Sequence, residues 1–260
     1  ATSGTEPPSG AFGFAWATAE LFDPVRGTWS RTGPMRHARA GAVAATMTDG
    51  RVLVVGSGRF RVTELDPDAF ASAEIYDPRT GRFELVGSLP PVDREALAMR
   101  GIQLPDGDGE AWSMGSLVAL PDGGALLVGN TRVWPNQAEI TRTMRFDPWT
   151  TSWSVVGEPW ASFLDPTSGQ WLATPGVRRH AALVARLADG RVLVAGGESA
   201  GTVTASAALY DPVADRWMTL AEMPFGRADG DAVRLTDGSV MLVGGYGSDG
   251  FARTAIRMVP

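Results

Sequence analysis

The chain contains no cysteine and no lysine; all 23 of its basic residues are arginine. Without cysteine there are no disulfides, thiolate metal sites or cysteine nucleophiles. Without lysine, Schiff-base chemistry and lysine general bases are excluded. His37 and His180 are the only histidines, which rules out a multi-histidine metal centre and leaves no basis for a metal or cofactor. Tyrosine is scarce at 3 residues. No apolar run reaches the roughly 18 residues that a membrane-spanning helix needs, so no membrane insertion is expected. Positive charge is in deficit, with 23 basic against 29 acidic residues. A polyanion would be repelled on balance, so nucleic acid is not an expected partner.

Glycine, at 32 of 260 residues, and proline, at 18, are plentiful and recur in register. Asp49-Gly50, Asp122-Gly123, Asp189-Gly190 and Asp237-Gly238 each precede a short apolar run closed by glycine, at Gly56, Gly129, Gly196 and Gly244. Asp-Gly suits a β-hairpin turn, and the apolar run reads as a buried strand. A closing glycine fits where another backbone or a bulky ring comes close. A second unit alternates with the first: Phe22-Asp23-Pro24, Tyr76-Asp77-Pro78, Phe146-Asp147-Pro148 and Tyr210-Asp211-Pro212. Seven residues after each leading aromatic stands another: Trp29, Phe83, Trp153 and Trp217. This predicts strand, turn, strand, with the large rings buried between repeats.

An apolar strand ending in glycine, alternating with Tyr-Asp-Pro and a tryptophan seven residues on, resembles the bacterial kelch repeat from about Trp16 to Pro260. Gly-Gly is complete only at Gly196-Gly197 and Gly244-Gly245, and Phe83 replaces one tryptophan. The resemblance implies an all-β fold, a β-propeller of four-stranded antiparallel blades with each first strand innermost. In blade order a, b, c, d, the chain opens with c and d and continues with three complete blades. It ends with a, b and c, for 17 strands and about five blades' worth. Residues 1–260 then form one domain, with an amino-terminal loop at 1–14 and units near 15–35, 36–90, 91–160, 161–225 and 226–260. Two readings of closure follow: a compact five-bladed ring with an irregular last blade, or an excised piece of a six- or seven-bladed ring whose further blades or domains belong to a longer parent. The absence of an initiator methionine at Ala1 fits processing or excision.

In such a blade the a–b and c–d turns share one rim, and the b–c and d–a connections share the other. The first rim is uniform. The second varies: the aromatic-to-Asp distance is 20 at Trp29–Asp49 and Trp217–Asp237, but 39 at Phe83–Asp122 and 36 at Trp153–Asp189. Irregular loops raised from one rim of a rigid scaffold are where binding usually sits. These inserts hold Trp112, Trp134, Trp160, Phe163 and Trp171. The alternative role for these rings is to pack the loops down. Eleven residues before each turn glycine, where strand a begins, stand Arg39, Trp112, Arg179 and Arg227. Three arginine forks at the channel mouth would suit an anion; otherwise each bonds neighbouring carbonyls and acids as structure.

The ligand-binding residues expected are therefore Arg39, Arg179, Arg227, Trp112, Trp134, Trp171, Asp229 and Asp231. Asp106-Gly107-Asp108-Gly109-Glu110 and Asp66-Pro67-Asp68 read as solvated acidic turns rather than calcium loops. His37 and His180 are not equivalent in the repeat and read as packing or loop residues. The expected function is non-catalytic recognition of a protein, a peptide or an acidic glycan on the variable rim, outside the cell or at its surface. The alternative is an enzyme acting on an acidic sugar as an epimerase or hydrolase. Copper radical oxidases similar to galactose oxidase are excluded, because their cofactor requires a Cys–Tyr link and histidine ligands.

Overall fold

The computed structural model describes residues 15–56, 67–99, 110–133, 138–157, 160–164, 171–173, 181–199, 202–248 and 250–259. Of these, 67–68, 96–97, 110–114, 132–133, 138–139, 160–164, 171–173 and 199 are described by backbone alone. The chain is all-β and antiparallel, and is built by repeating one local rule. An apolar strand turns at Asp-Gly, a second apolar strand returns, and a third and fourth follow around Asp-Pro.

β1 (Glu20–Asp23) and β2 (Thr28–Arg31) form a leading hairpin. The second sheet runs β3 (Val43–Thr46), β4 (Val52–Val55), β5 (Ser72–Asp77), β6 (Arg82–Ser88), with helical turn α1 (Pro67–Ala71) entering β5. Helical turn α2 (Arg94–Ala98) leads on to the third sheet. That sheet runs β7 (Glu110–Ala119), β8 (Ala125–Val133), β9 (Ala138–Asp147), β10 (Ser152–Val155). β11 (Trp160–Leu164) shares the β9 edge with β10, and β12 (Trp171–Ala173) pairs with β11. The fourth sheet has β13 (Leu183–Arg186) and β14 (Val192–Ala195). A small hairpin, β15 (Glu198–Ser199) and β16 (Thr202–Val203), precedes its β17 (Ala207–Asp211) and β18 (Arg216–Thr219). The fifth sheet has three strands, β19 (Asp231–Arg234), β20 (Val240–Val243) and β23 (Ala255–Met258), with hairpin β21 (Tyr246–Gly247) and β22 (Gly250–Phe251) between the last two. Seventeen of these strands occupy the motif positions. Six, β11, β12, β15, β16, β21 and β22, lie outside the repeat.

The turns are uniform because their chemistry is. At each Asp-Gly the glycine takes a left-handed φ of 86–91°. Its amide closes a turn onto the residue three back, as from Gly50 to the Met47 carbonyl (3.0 Å) and from Gly190 to Leu187 (3.2 Å). This is a three-residue hairpin loop whose left-handed position only glycine fills without cost. At each Asp-Pro the carboxylate accepts the amide two residues on, at Val25, Arg79, Trp149 and Val213. The seven-residue aromatic spacing is a direct cross-strand pair: Phe22–Trp29, Tyr76–Phe83, Phe146–Trp153 and Tyr210–Trp217. Their rings lie 4.9–5.2 Å apart at 43–47°.

Strand alternation gives every sheet two apolar faces. Leu53, Val55 and Ile75 of the second sheet bury against Leu127, Phe146 and Trp153 of the third. Leu126 and Val128 then bury against Val192, Val194 and Tyr210. Leu193, Ala195 and Leu209 bury against Val240, Leu242 and Met258. The sheets therefore stack in chain order, each using one face toward its predecessor and the other toward its successor. The expectation of buried rings fails at the leading hairpin, where Phe22 is 50% and Trp29 67% exposed. No sheet in the described structure precedes the hairpin to cover that face.

Candidate functional site

The first strands of four sheets converge. A cavity of about 270 Å³ is lined by Gly41 and Val43 at β3, Gly115 and Ser116 in β7, Ala181 and Ala182 ahead of β13, and Asp229 and Gly230 ahead of β19. The lining is small because four strand entries crowd one space. Gly41, Ala181 and Asp229 hold the same repeat position, eight residues before the turn aspartate. All three are left-handed, with φ of 70°, 52° and 56°. For alanine that conformation costs about 1–2 kcal/mol. It is held here by the Asp229 amide, which donates to the Ala181 carbonyl at 2.8 Å across two sheets. Of the expected site residues, Asp229 is exposed and lines this cavity. Asp231 begins β19, where its carboxylate accepts the Ala232 amide (2.8 Å), and it is exposed beside the cavity rather than in its lining.

The two described arginines of the expected set do not present their forks to a ligand. Arg39 is buried beneath the mouth, its side chain 1% exposed. Its guanidinium pairs with Glu74 at 2.9 Å and donates to the carbonyls of Gly56, Ala69 and Ser72, and to the Ser72 hydroxyl. Glu74, wholly buried, also accepts the amides of Arg36 (2.7 Å) and His37 (3.3 Å). Arg227 repeats this clamp in the fifth sheet. It donates to the carbonyls of Gly244 and Thr254 and to the Thr254 hydroxyl, the counterparts of Gly56 and Ser72. The strand-entry arginine thus ties the end of strand b to the start of strand c. Ile256 stands where Glu74 stands, so Arg227 has no acidic partner among the described residues. Burial pulls its guanidinium pKa downward, and its Nε is unpartnered in the described structure.

The third sheet is built differently. Trp112 replaces the strand-entry arginine, and the buried cation comes instead from strand c, as Arg142. It donates to the carbonyls of Pro90 (2.6 Å) and Pro91 (3.1 Å). Sequence reasoning missed Glu74, Arg142, Ser72 and Thr254. The signal was present: a polar residue four before the Tyr, Phe or Met of strand c recurs as Ser72, Arg142, Ser206 and Thr254.

Where they are described, the inserts on the variable rim add strand to the third sheet. β7, β8 and β9 run 10, 9 and 10 residues, where the matching strands elsewhere run 4 to 6. The excess carries the third sheet roughly 17 Å further on that side. A bulge between Ser113 and Gly115 lets β7 keep its register with β8 along the extension. Trp112 pairs with Thr131 in this register, Trp160 with Thr141, and Trp171 with Leu164. Backbone amides otherwise left open at the end of β9 are met by β11, which is why the 154–188 insert adds to the sheet. Trp134, Arg179, His180 and Asp106-Gly107-Asp108-Gly109 lie outside the described residues. The His37 amide donates to Glu74 (3.3 Å).

No family model and no curated protein matches the chain. Among solved structures it is similar to a fungal alcohol oxidase of the AA5 family, in complex with copper, at 13% identity and a TM-score of 0.50. The match covers 95% of this chain and 57% of that one, so the chain spans little more than half the length of the protein it resembles. At this identity the likeness concerns the fold alone: an all-β chain of successive antiparallel sheets.

Proposed function

We propose that the chain is a kelch-type β-propeller, or an arc of one, that binds a ligand without catalysis. The ligand sits over the central cavity, against the projecting end of the third sheet. One observation carries this reading: the six strands outside the repeat and the lengthening of β7–β9 all arise in b–c and d–a connections, on the side where the cavity opens, while the Asp-Gly and Asp-Pro side keeps bare turns. A scaffold closed by short turns has no need of the extra length. Trp112, Trp134 and Trp171 on those inserts are suited to stacking against a glycan ring or a peptide side chain.

The burial of Arg39 and Arg227 removes two of the three expected anion forks, so the ligand need not be acidic. It also weakens the enzyme alternative, which requires free arginines beside Asp229 and Asp231. Copper chemistry does not transfer from the similar oxidase: with no cysteine and two histidines, the chain lacks the donors for that centre. An exported, cell-surface location fits a glycan- or peptide-binding role.

The test is a glycan and peptide array, followed by affinity measurements on Asp229→Asn, Trp171→Ala and Arg216→Ala. Arg216 starts β18, beside the Asp-Pro turn on the opposite rim. The first two changes should each weaken binding about tenfold or more, the third not at all. Loss of binding in Arg216→Ala with the other two unaffected would put the site on the wrong face. Product formation from an acidic sugar would favour the enzyme reading.

A further inference from the structure

We propose that the third sheet carries a second binding site, on the Asp-Gly and Asp-Pro rim, where a groove walled by Trp149 takes the guanidinium group of an arginine side chain from another polypeptide. This site lies on the opposite rim from the one proposed above and does not depend on that reading.

The groove, of about 370 Å³, is lined by Asp122, Arg145, Phe146, Asp147, Trp149 and Ser154, with Pro148 at the turn. The repeat itself shows what stands at the matching positions elsewhere. In the second sheet Arg51 follows the Asp-Gly turn and pairs with Asp49 at 2.7 Å, and Arg79 follows the Asp-Pro turn and pairs with Asp77 at 3.0 Å. In the third sheet both of these arginines are replaced. Gly124 stands for Arg51, and its bare backbone is enforced, because a Cβ there would lie 2.6 Å from the Phe146 carbonyl oxygen. Trp149 stands for Arg79. A single cation, Arg145 of β9, takes over, and its guanidinium donates to Asp122. Ser154 stands opposite Arg145 across the β9–β10 pair.

Asp147 therefore lacks the arginine that the same turn supplies to Asp77. Its Oδ1 accepts the Trp149 amide at 2.8 Å. That bond is the main reason its carboxyl sits below the usual range, so it is an ionised acceptor at neutral pH. Beside it Trp149 is 88% exposed. A cation over an aromatic face is attracted by the ring quadrupole, most strongly for tryptophan, and a guanidinium fork also matches the two oxygens of a carboxylate. Two carboxylates against one guanidinium leave the lining net negative, which disfavours an anion. A neutral ring would use the indole face and leave the charge unanswered. Arg79 on Asp77 is the internal precedent for the occupant: an arginine brought by a partner restores at the third sheet the pair that the second makes within its own turn.

The experiment follows the indole N–H resonances of the whole, isotope-labelled chain as N-acetyl-Gly-Arg-Gly-amide is added to about 20 mM. Trp149→Phe identifies the Trp149 peak. The arginine peptide should shift that peak to saturation. The same peptide with citrulline, the neutral isostere of arginine, should bind about fivefold more weakly or worse. Asp147→Asn, which keeps an acceptor for the Trp149 amide, should weaken the arginine peptide about threefold or more. Trp149→Arg, which gives the turn the residue of the second sheet, should abolish binding as read from the peptide's own resonances. Trp149 is exposed, so that variant should keep the parent's melting temperature. Trp171→Ala, on the other rim, should leave the peptide's affinity unchanged. A Trp149 peak that does not move overturns the proposal. So does a citrulline peptide, an Asp147→Asn chain or a Trp149→Arg chain that binds as tightly as the parent pair, since each takes the charge or the ring out of the recognition. A methyl glycoside or sulfate that shifts the Trp149 peak more than the arginine peptide also overturns it, assigning the groove to a neutral ring or an anion.

Discussion

Phe22 and Tyr210 hold the same place in their sheets, each facing a tryptophan across a strand pair, at ring separations of 5.0 and 5.2 Å. Tyr210 is fully buried, and its hydroxyl donates to Asp215 at 2.6 Å. Burial first, and that bond second, push its phenol well above the ordinary tyrosine range. Phe22 is half exposed. The motif is thus independent of its surroundings: the Asp-Pro turn and cross-strand register form the ring pair in both places, while the stabilisation comes from the sheet stacked upon it. The middle sheets and the end units share local structure and differ in what covers them.

The buried arginines give the sharpest way to break that comparison. Arg39→Met leaves Glu74 buried without its cation and should cost roughly 3–5 kcal/mol. Arg227→Met, in the end sheet, strands only neutral carbonyls and should cost less, about 1–3 kcal/mol. Denaturant melts of the two variants decide this. Equal losses would mean that the ion pair adds nothing beyond the shared carbonyl clamp. Adding Glu74→Met to Arg39→Met should recover part of the loss.

Aromatic truncation comes next. Trp153→Ala empties a packed site against the second sheet and should cost roughly 3–5 kcal/mol. Trp29→Ala loses little beyond its contact with Phe22 and should cost about 1 kcal/mol or less in dilute solution. A Trp29 variant as damaged as the Trp153 one would show that the hairpin is covered after all.

The smallest effect is shared by both regions. The carboxylates of Asp77 and Asp189 sit below their usual range, held first by the side chains of Arg79 and Arg191 and then by those residues' amides. Asp23 in the hairpin is held down likewise by Arg26, and Asp237 in the last sheet by Ser239 and Arg257. A depressed folded pKa stabilises above the ordinary value of 3.8 and is lost as pH falls through the folded one. The melting temperature should therefore hold steady near neutrality and decline below about pH 4. A melt that rises on acidification would contradict the sign.

The repeat made much of this legible. Asp-Gly, Asp-Pro and the seven-residue aromatic spacing act within a few residues, so the strands at the motif positions and both turn types could be read directly. The arginines were read at the strand entries with two destinations open, an anion or neighbouring carbonyls and acids, and Arg39 and Arg227 take the second. Nothing local tells whether the fork of Arg39 points to solvent or back to Glu74, which lies 35 residues away. The inserts were read as loops, yet their described parts include added strand, because β9 offered an open edge and unpaired amides recruit a neighbour. The small residues around the cavity, Gly41, Gly115, Ala181 and Gly230, carried a signal that alternation and motif spacing did not weigh.

The sequence by itself determined the hairpin loops, the register of each aromatic pair and the apolar faces of each strand. These depend on backbone torsion, a single Asx bond and the two-residue period of a strand. The tertiary structure alone decided which apolar faces are covered, where the arginine charges are spent, and that four strand entries enclose one cavity. Each of those is a contact between residues far apart in the chain, and its energy depends on burial, which no local pattern sets.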